Sequence, residues 1–246
     1  MRKFGLTIIV ENTGKTFHTY NDWGLYIQNT DYIGEPLQVT NLVQVPGREG
    51  YIDLSKSLEG HAIYSSRPIS VELAGFHEKQ NWDGVVSKFR NEISGRTCQF
   101  IFDNDTGYYW RGKVAIKDFS SILSVGKLRV DLPEAEPYKY SVETSQEPWK
   151  WDPFNFETGI IIFIGELVVS GSRTINIPHG HMPISPQLYV SNRTSGTFKV
   201  TYEGTQYTLA DGMNKVPAIV VGGDNTKTLT FTGTARVKII YRSGSL

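Results

Sequence analysis

Three stretches of the chain place reactive side chains at spacings that known chemistry uses. Asn12-Thr13-Gly14-Lys15-Thr16 carries the Gly-Lys-Thr end of a phosphate-gripping loop, in which backbone amides and a lysine close on phosphate oxygens. That loop needs a second glycine five positions before Gly14, where Ile9 stands, and no helical period follows, so the residues read as a hairpin turn. Asp103, Asp105 and Gly107 open like a calcium loop, but its sixth-position glycine and twelfth-position glutamate are replaced by Tyr108 and Val114. A tight reversal between two strands explains these residues better. His179-Gly180-His181, if extended, would put two imidazoles on one strand face within reach of one metal ion. Pro178 and Pro183 bracket the pair and no third ligand joins it at a recognisable spacing, which makes these loop histidines.

His18, His61 and His77 are scattered, and no nucleophile elbow, zinc-protease helix motif or dinucleotide fingerprint is present. Cys98 is the sole cysteine, which excludes an internal disulfide and a four-cysteine zinc site and fits a buried strand residue in a reducing compartment. Trp149 and Trp151 sit among Pro148, Pro153, Phe154 and Phe156; their rings could stack on sugars, or fill a seam between domains, the use favoured by the area they bury. No catalytic residue, metal ligand or cofactor site is assigned.

The elements that would carry these residues are mostly strands. Glycine and proline punctuate short segments rich in Val, Ile, Thr, Tyr and Phe throughout. One stretch reads as helix: over 81–94, Trp82, Val85, Val86, Phe89 and Ile93 draw one apolar stripe, with Asn81 as N-cap, Asp83 in the first turn and Gly95 at the stop. Strand signals at 97–102 and 108–116 flank the Asp103 turn as a hairpin. Periodicity breaks near Leu132-Pro133 and again at Pro148, suggesting domains of 1–138 and 139–246. The second half gives strand signals at 160–169, 173–177, 186–190, 196–202, 205–209, 228–231 and 235–241, with turns between them, the rhythm of a two-sheet sandwich.

Composition narrows the partners. The 246 residues carry 25 Lys+Arg against 25 Asp+Glu, so no overall positive field exists to gather nucleic acid or anionic lipid. No apolar run approaches the roughly 20 residues that cross a bilayer, and the N-terminus reads as a first strand, without a cleavage site.

The segment Val45-Pro46-Gly47-Arg48-Glu49-Gly50-Tyr51-Ile52-Asp53-Leu54, followed by Tyr64 and Arg67-Pro68-Ile69, resembles the N-terminal domain of the distal tail proteins of long, non-contractile-tailed bacteriophages. Trp82, the Ser94-Gly95-Arg96 step, the Asp103 hairpin with Tyr108 and Tyr109, the Gly112-Lys113-Val114 strand and the closing stretch from Gly233 to Leu246 are similar to that family's continuation. On its own chemistry the motif is a turn: Pro46 fixes one corner, Gly47 permits the next, and Asp53 can cap the backbone just after it.

The resemblance implies a mainly β protein with one α-helix: a split-barrel-like N-terminal domain with an extended hairpin, then a galectin-like β-sandwich. It implies a virion structural protein of the tail tip, made in the host cytoplasm, that forms a homo-hexameric ring joining the tail tube to the baseplate. Pro46, Gly47, Arg48, Gly50 and Asp53 become ring-motif candidates, and residues 26–45, with Leu37, Val39 and Leu42, the candidate arm. Expected partners are tail tube protein, tail-fibre or receptor-binding proteins and a host saccharide, with DNA only passing through the lumen and no membrane insertion. The rivals are a carbohydrate-binding module using Trp149 and Trp151, and a glycosidase with two unassigned carboxylates.

Overall fold

The computed structural model describes residues 4–29, 32–56, 60–77, 81–122, 124–148, 162–194, 196–223 and 225–246. The chain divides into two compact units, 1–139 and 140–246, and is mainly β.

The first unit contains β1 (Leu6–Val10), β2 (Thr16–His18), α1 (Thr19–Trp23), β3 (Leu25–Ile27), β4 (Leu42–Gln44), β5 (Tyr51–Asp53), β6 (Arg67–Phe76), α2 (Trp82–Ile93), β7 (Thr97–Phe102), β8 (Tyr108–Lys113), β9 (Ala115–Ile122) and β10 (Val125–Ala135). Two antiparallel sheets, β8-β7-β1-β2 and β3-β6-β10-β9, enclose one core. Strict alternation buries Leu6, Ile8 and Val10 of β1 and Ile69, Val71 and Leu73 of β6 in that core.

The helix α2 lays Trp82, Val86, Phe89 and Ile93 into the same cluster, and Trp23 meets Phe89 edge to face at 4.7 Å. Asn81 occupies the N-cap position with helical backbone angles, and its side chain caps nothing. Trp82 lies over Gly126, which is paired with Gly75 on the neighbouring strand; a Cβ on Gly126 would come within 2.4 Å of the indole.

Two local features depart from the sequence reading. The single strand expected over 108–116 is two strands: the chain leaves β8 at the buried Val114 and enters the other sheet as β9. A second helix, α1, is only five residues long; the His18 Nδ1 caps it by accepting from the Asn21 amide at 3.2 Å, and one and a half turns are too short to draw an apolar stripe.

In the second unit, β11 (Lys139–Ser141) begins at the junction and β12 (Glu166–Ile177), β13 (Gln187–Ser191), β14 (Phe198–Tyr202), β15 (Thr205–Leu209), β16 (Gly212–Lys215), β17 (Lys227–Ile240) and β18 (Gly244–Ser245) follow. Strand β17 is the spine. It pairs with β12 along its whole length on one side, and on the other with β14 near its start and β13 near its end. The turns expected near residues 171 and 233 are instead bends inside continuous strands. Gly171 and Gly233 face each other in register with φ of 83° and 122°, and a Cβ on Gly233 would lie 3.0 Å from Phe198 Cδ2 and from the Thr197 oxygen. The curled sheet closes on one core that includes Leu167, Leu188, Phe198, Phe231, Val237 and Ile239.

Candidate functional site

Between β3 and β6 the chain runs outward and returns as an arm. Gly34 donates its amide to the Pro68 carbonyl at 2.8 Å, Ser65 to Leu37, Val39 to Ile63 and Leu54 to Asn41, so the two legs form a loose antiparallel ladder that ends in the β4/β5 hairpin. At its tip Pro46 and Gly47 occupy the corners of a type II turn: Gly47 has φ of 80° and the Arg48 amide reaches the Val45 carbonyl at 3.1 Å. Asp53 accepts from the Ser55 amide at 2.8 Å and closes the return turn; those bonds to Ser55 hold its carboxyl below the usual range. Pro46, Gly47, Arg48, Gly50 and Asp53 thus come together on one exposed hairpin end.

Among the described residues from 35 to 66 none is buried. The arm nonetheless carries Leu37 at 75% exposure and Tyr51 at 63%, with Val39, Leu42, Val43 and Ile63 also exposed. An isolated two-stranded hairpin is at best marginally stable in water, and apolar side chains on it gain nothing until something covers them.

A second exposed apolar group lies at one end of the β3-β6-β10-β9 sheet. Phe76, Val125 and Ile122 are neighbours in register across three strands, Phe76 at 64% and Ile122 at 78% exposure, and Tyr26 stacks on Phe76 at 6.4 Å. Strands β3 and β9 are the edges of this sheet; Ile27 of β3 donates its amide to the Phe4 carbonyl at 2.7 Å, while β9 pairs with β10 alone among the described strands. Along the same outward face, Ser70, Arg129 and Lys117 reach Asp131 at 2.8, 3.0 and 3.0 Å. Burial works to raise the Asp131 pKa, but those three bonds hold it below the ordinary 3.8. The sequence reading missed Phe76, Ile122 and Val125; two apolar residues flanking a hairpin turn, where polar ones are expected, were the available signal.

The motifs with catalytic echoes have structural partners instead. Lys15 pairs with Glu92 at 2.9 Å. Asp103 accepts the Gly5 amide at 2.8 Å and meets His18 Nε2 at 3.1 Å, while Asp105 pairs with Lys139 at 2.6 Å. His77 Nε2 meets the Trp23 carbonyl at 2.7 Å. Cys98 is buried on β7, and burial pushes its thiol up to about 11, which leaves it unreactive at neutral pH. His179 and His181 line a shallow pocket with Met182 and Tyr241, and no group of three metal-ligating side chains occurs among the described residues. Trp149 and Trp151 lie outside the described residues.

A likeness to a solved structure extends over this arrangement from end to end. The crystal structure of the Dit protein (gp 19.1) of SPP1, described as a paradigm of the hub adsorption apparatus in phages infecting Gram-positive hosts, matches with a TM-score of 0.58. It covers 99% of this chain and 99% of that one at 10% identity. The fold is Dit-like. No protein-family model matches the chain, and no curated protein matches it either. The Dit-like fold thus rests on the course of the backbone through both units. No helix among the described residues is long and apolar enough to cross a membrane.

Proposed function

We propose that this chain is a non-catalytic distal tail component of a phage virion, a hub that closes head to tail into a ring joining the tail tube to the tail-tip adsorption apparatus. The observation that carries this reading is the arm: a run of exposed apolar residues without a core of its own, in a chain with a Dit-like fold. The exposed row of Phe76, Val125 and Ile122 beside the open β9 edge supplies a second, unlike face. Two different faces on one subunit make a heterologous contact, which closes into a ring when the rotation between neighbours permits. In this reading the arm of one copy lies against the row of the next, and Pro46, Gly47, Arg48, Gly50 and Asp53 shape the arm's end.

Six copies are the stoichiometry that the family resemblance implies. Residues 139–246 form a galectin-like sandwich that holds receptor-binding or baseplate proteins or touches a host saccharide. DNA passes through the lumen without being gripped, in keeping with the chain's net neutrality.

Sedimentation and electron microscopy test this. The chain at tens of micromolar is expected as a closed ring; a 27.7 kDa monomer alone would overturn the reading. Leu37→Ser with Tyr51→Ser on the arm, and Ile122→Ser on the row, should each abolish the ring while the monomer stays folded. An equimolar mixture of the two variants keeps one intact arm and one intact row, so it should yield dimers and no rings.

A further inference from the structure

The root of the arm holds a charge that its surroundings leave half satisfied. Arg67, the first residue of β6, has a side chain only 3% exposed. Its guanidinium lies 4.8 Å from the Trp110 ring centre, which covers one face. Its Nε has no hydrogen-bond partner among the described residues. The nearest counter-charge is Glu35, whose Oε2 stands 3.5 Å from Nη2, at the outer limit of a hydrogen bond, with the Glu35 side chain 90% exposed. Burial pushes the Arg67 guanidinium below its ordinary value, the mark of a cation held out of water without adequate compensation.

The placement of these two residues is specific. Nε and Nη2 share one edge of the guanidinium, the edge that takes both oxygens of a carboxylate side-on. Glu35 already stands at the Nη2 end of that edge while Nε is buried and unpartnered among the described residues. An advance of less than about 1 Å would bring the Nη2–Oε2 contact to the roughly 2.8 Å of a charge-assisted bond, and the second carboxylate oxygen is the group that the unpartnered Nε lacks. Both residues also sit one step outward from the Gly34/Pro68 hydrogen bond, Glu35 on the outgoing leg and Arg67 on the returning one. Closing the pair therefore fixes the two legs against each other at the point where the arm leaves the core.

We propose that Glu35 and Arg67 form a latch at the arm root, whose closure into a two-oxygen ion pair sets the direction of the arm and restrains it. The latch follows from the geometry of the single chain; its consequence for assembly rests on the ring reading above. A swinging arm loses more freedom on docking than a fixed one, so a closed latch favours the ring.

Amide hydrogen exchange on the full chain, at a concentration where it is monomeric, tests the latch directly. The reporters are the Val39 and Ser65 amides, which bridge the two legs just beyond the pair. Glu35→Gln should speed exchange at both by about tenfold and leave β7 and β10 unchanged, while Glu49→Gln at the exposed tip should change neither reporter. Arg67→Met should loosen the same two amides; if it fails to fold, Glu35→Gln alone decides. Unchanged reporters in Glu35→Gln, or faster exchange throughout the unit, would overturn the latch. As a second readout, Glu35→Gln should weaken ring formation at least tenfold in concentration. If the wild-type chain forms no ring at all, the ring reading fails and the exchange result still judges the latch.

Discussion

Among the described residues each unit has one place where two glycines face each other across paired strands, and the two places serve different ends. In the first unit the Gly75/Gly126 pair clears a seat: with no Cβ on Gly126, the indole of Trp82 lies flat on the sheet and anchors α2. In the second unit Gly171 has open space where a Cβ would go and Gly233 lies close against Phe198 and Thr197; what the Gly171/Gly233 pair shares is a positive φ. It lets two long strands bend together, so that one continuous sheet encloses its own core. The missing atom thus serves in the first unit through the room it leaves, and in the second through the backbone angles it permits at both glycines, with room needed at Gly233 alone.

If that distinction is right, the two pairs should respond differently to one added methyl. The largest loss is expected for Gly126→Ala, about 3 kcal/mol, because the new Cβ overlaps a rigid ring that is itself buried. Chemical denaturation of the double variant with Trp82→Leu should recover part of that loss, a coupling of about 1 kcal/mol or more. Additive losses would mean that the seat is not what Gly126 provides. Gly233→Ala should cost about 2 kcal/mol, from its positive φ together with a neighbour that must give way by a few tenths of an ångström. Gly171→Ala, at a similarly positive φ but with open space where the Cβ would go, should cost about 1 kcal/mol from the backbone alone. Equal losses at 171 and 233 would show that space plays no part in the bend.

A smaller effect should separate the units by pH. Among the described residues the buried charged side chains, Arg67 and Asp131, both belong to the first unit. The Asp131 carboxyl titrates below its ordinary 3.8 in the folded chain, so its contribution is complete above that pH and is lost as the pH falls through the lower, folded value. Acid should therefore loosen the first unit before the second, and Asp131→Asn should remove that part of its acid sensitivity. A circular-dichroism melt that shows no change in acid response would break the contrast.

Much of the fold was legible because burial repeats at short range. Alternation in Leu6–Val10 and the stripe through Trp82, Val86, Phe89 and Ile93 each state which face lies inside. The glycine bends were not legible, because Gly171 and Gly233 look like turn residues until a partner strand is known to continue past both. Val114 misled for the same reason: a chain changing sheets keeps its strand character on both sides.

The candidate site was half legible. The spacing of Leu37 and Val39 marks an extended segment with an apolar side, but only the tertiary structure places that side in water. Phe76, Val125 and Ile122 are 46 to 49 residues apart at their extremes, and strand pairing alone makes them one row.

By itself the sequence determined the β character, the one long helix with its buried stripe and the corner chemistry of Pro46-Gly47, since each depends on residues a few positions apart. Only the tertiary structure decided that the arm has no core to bury its apolar residues in, that facing glycines seat an indole or bend a sheet, and that Arg67 is buried opposite an exposed Glu35. Those are relations between residues distant in the chain, and the free energy of covering a surface or pairing a charge depends on what lies across from it in space.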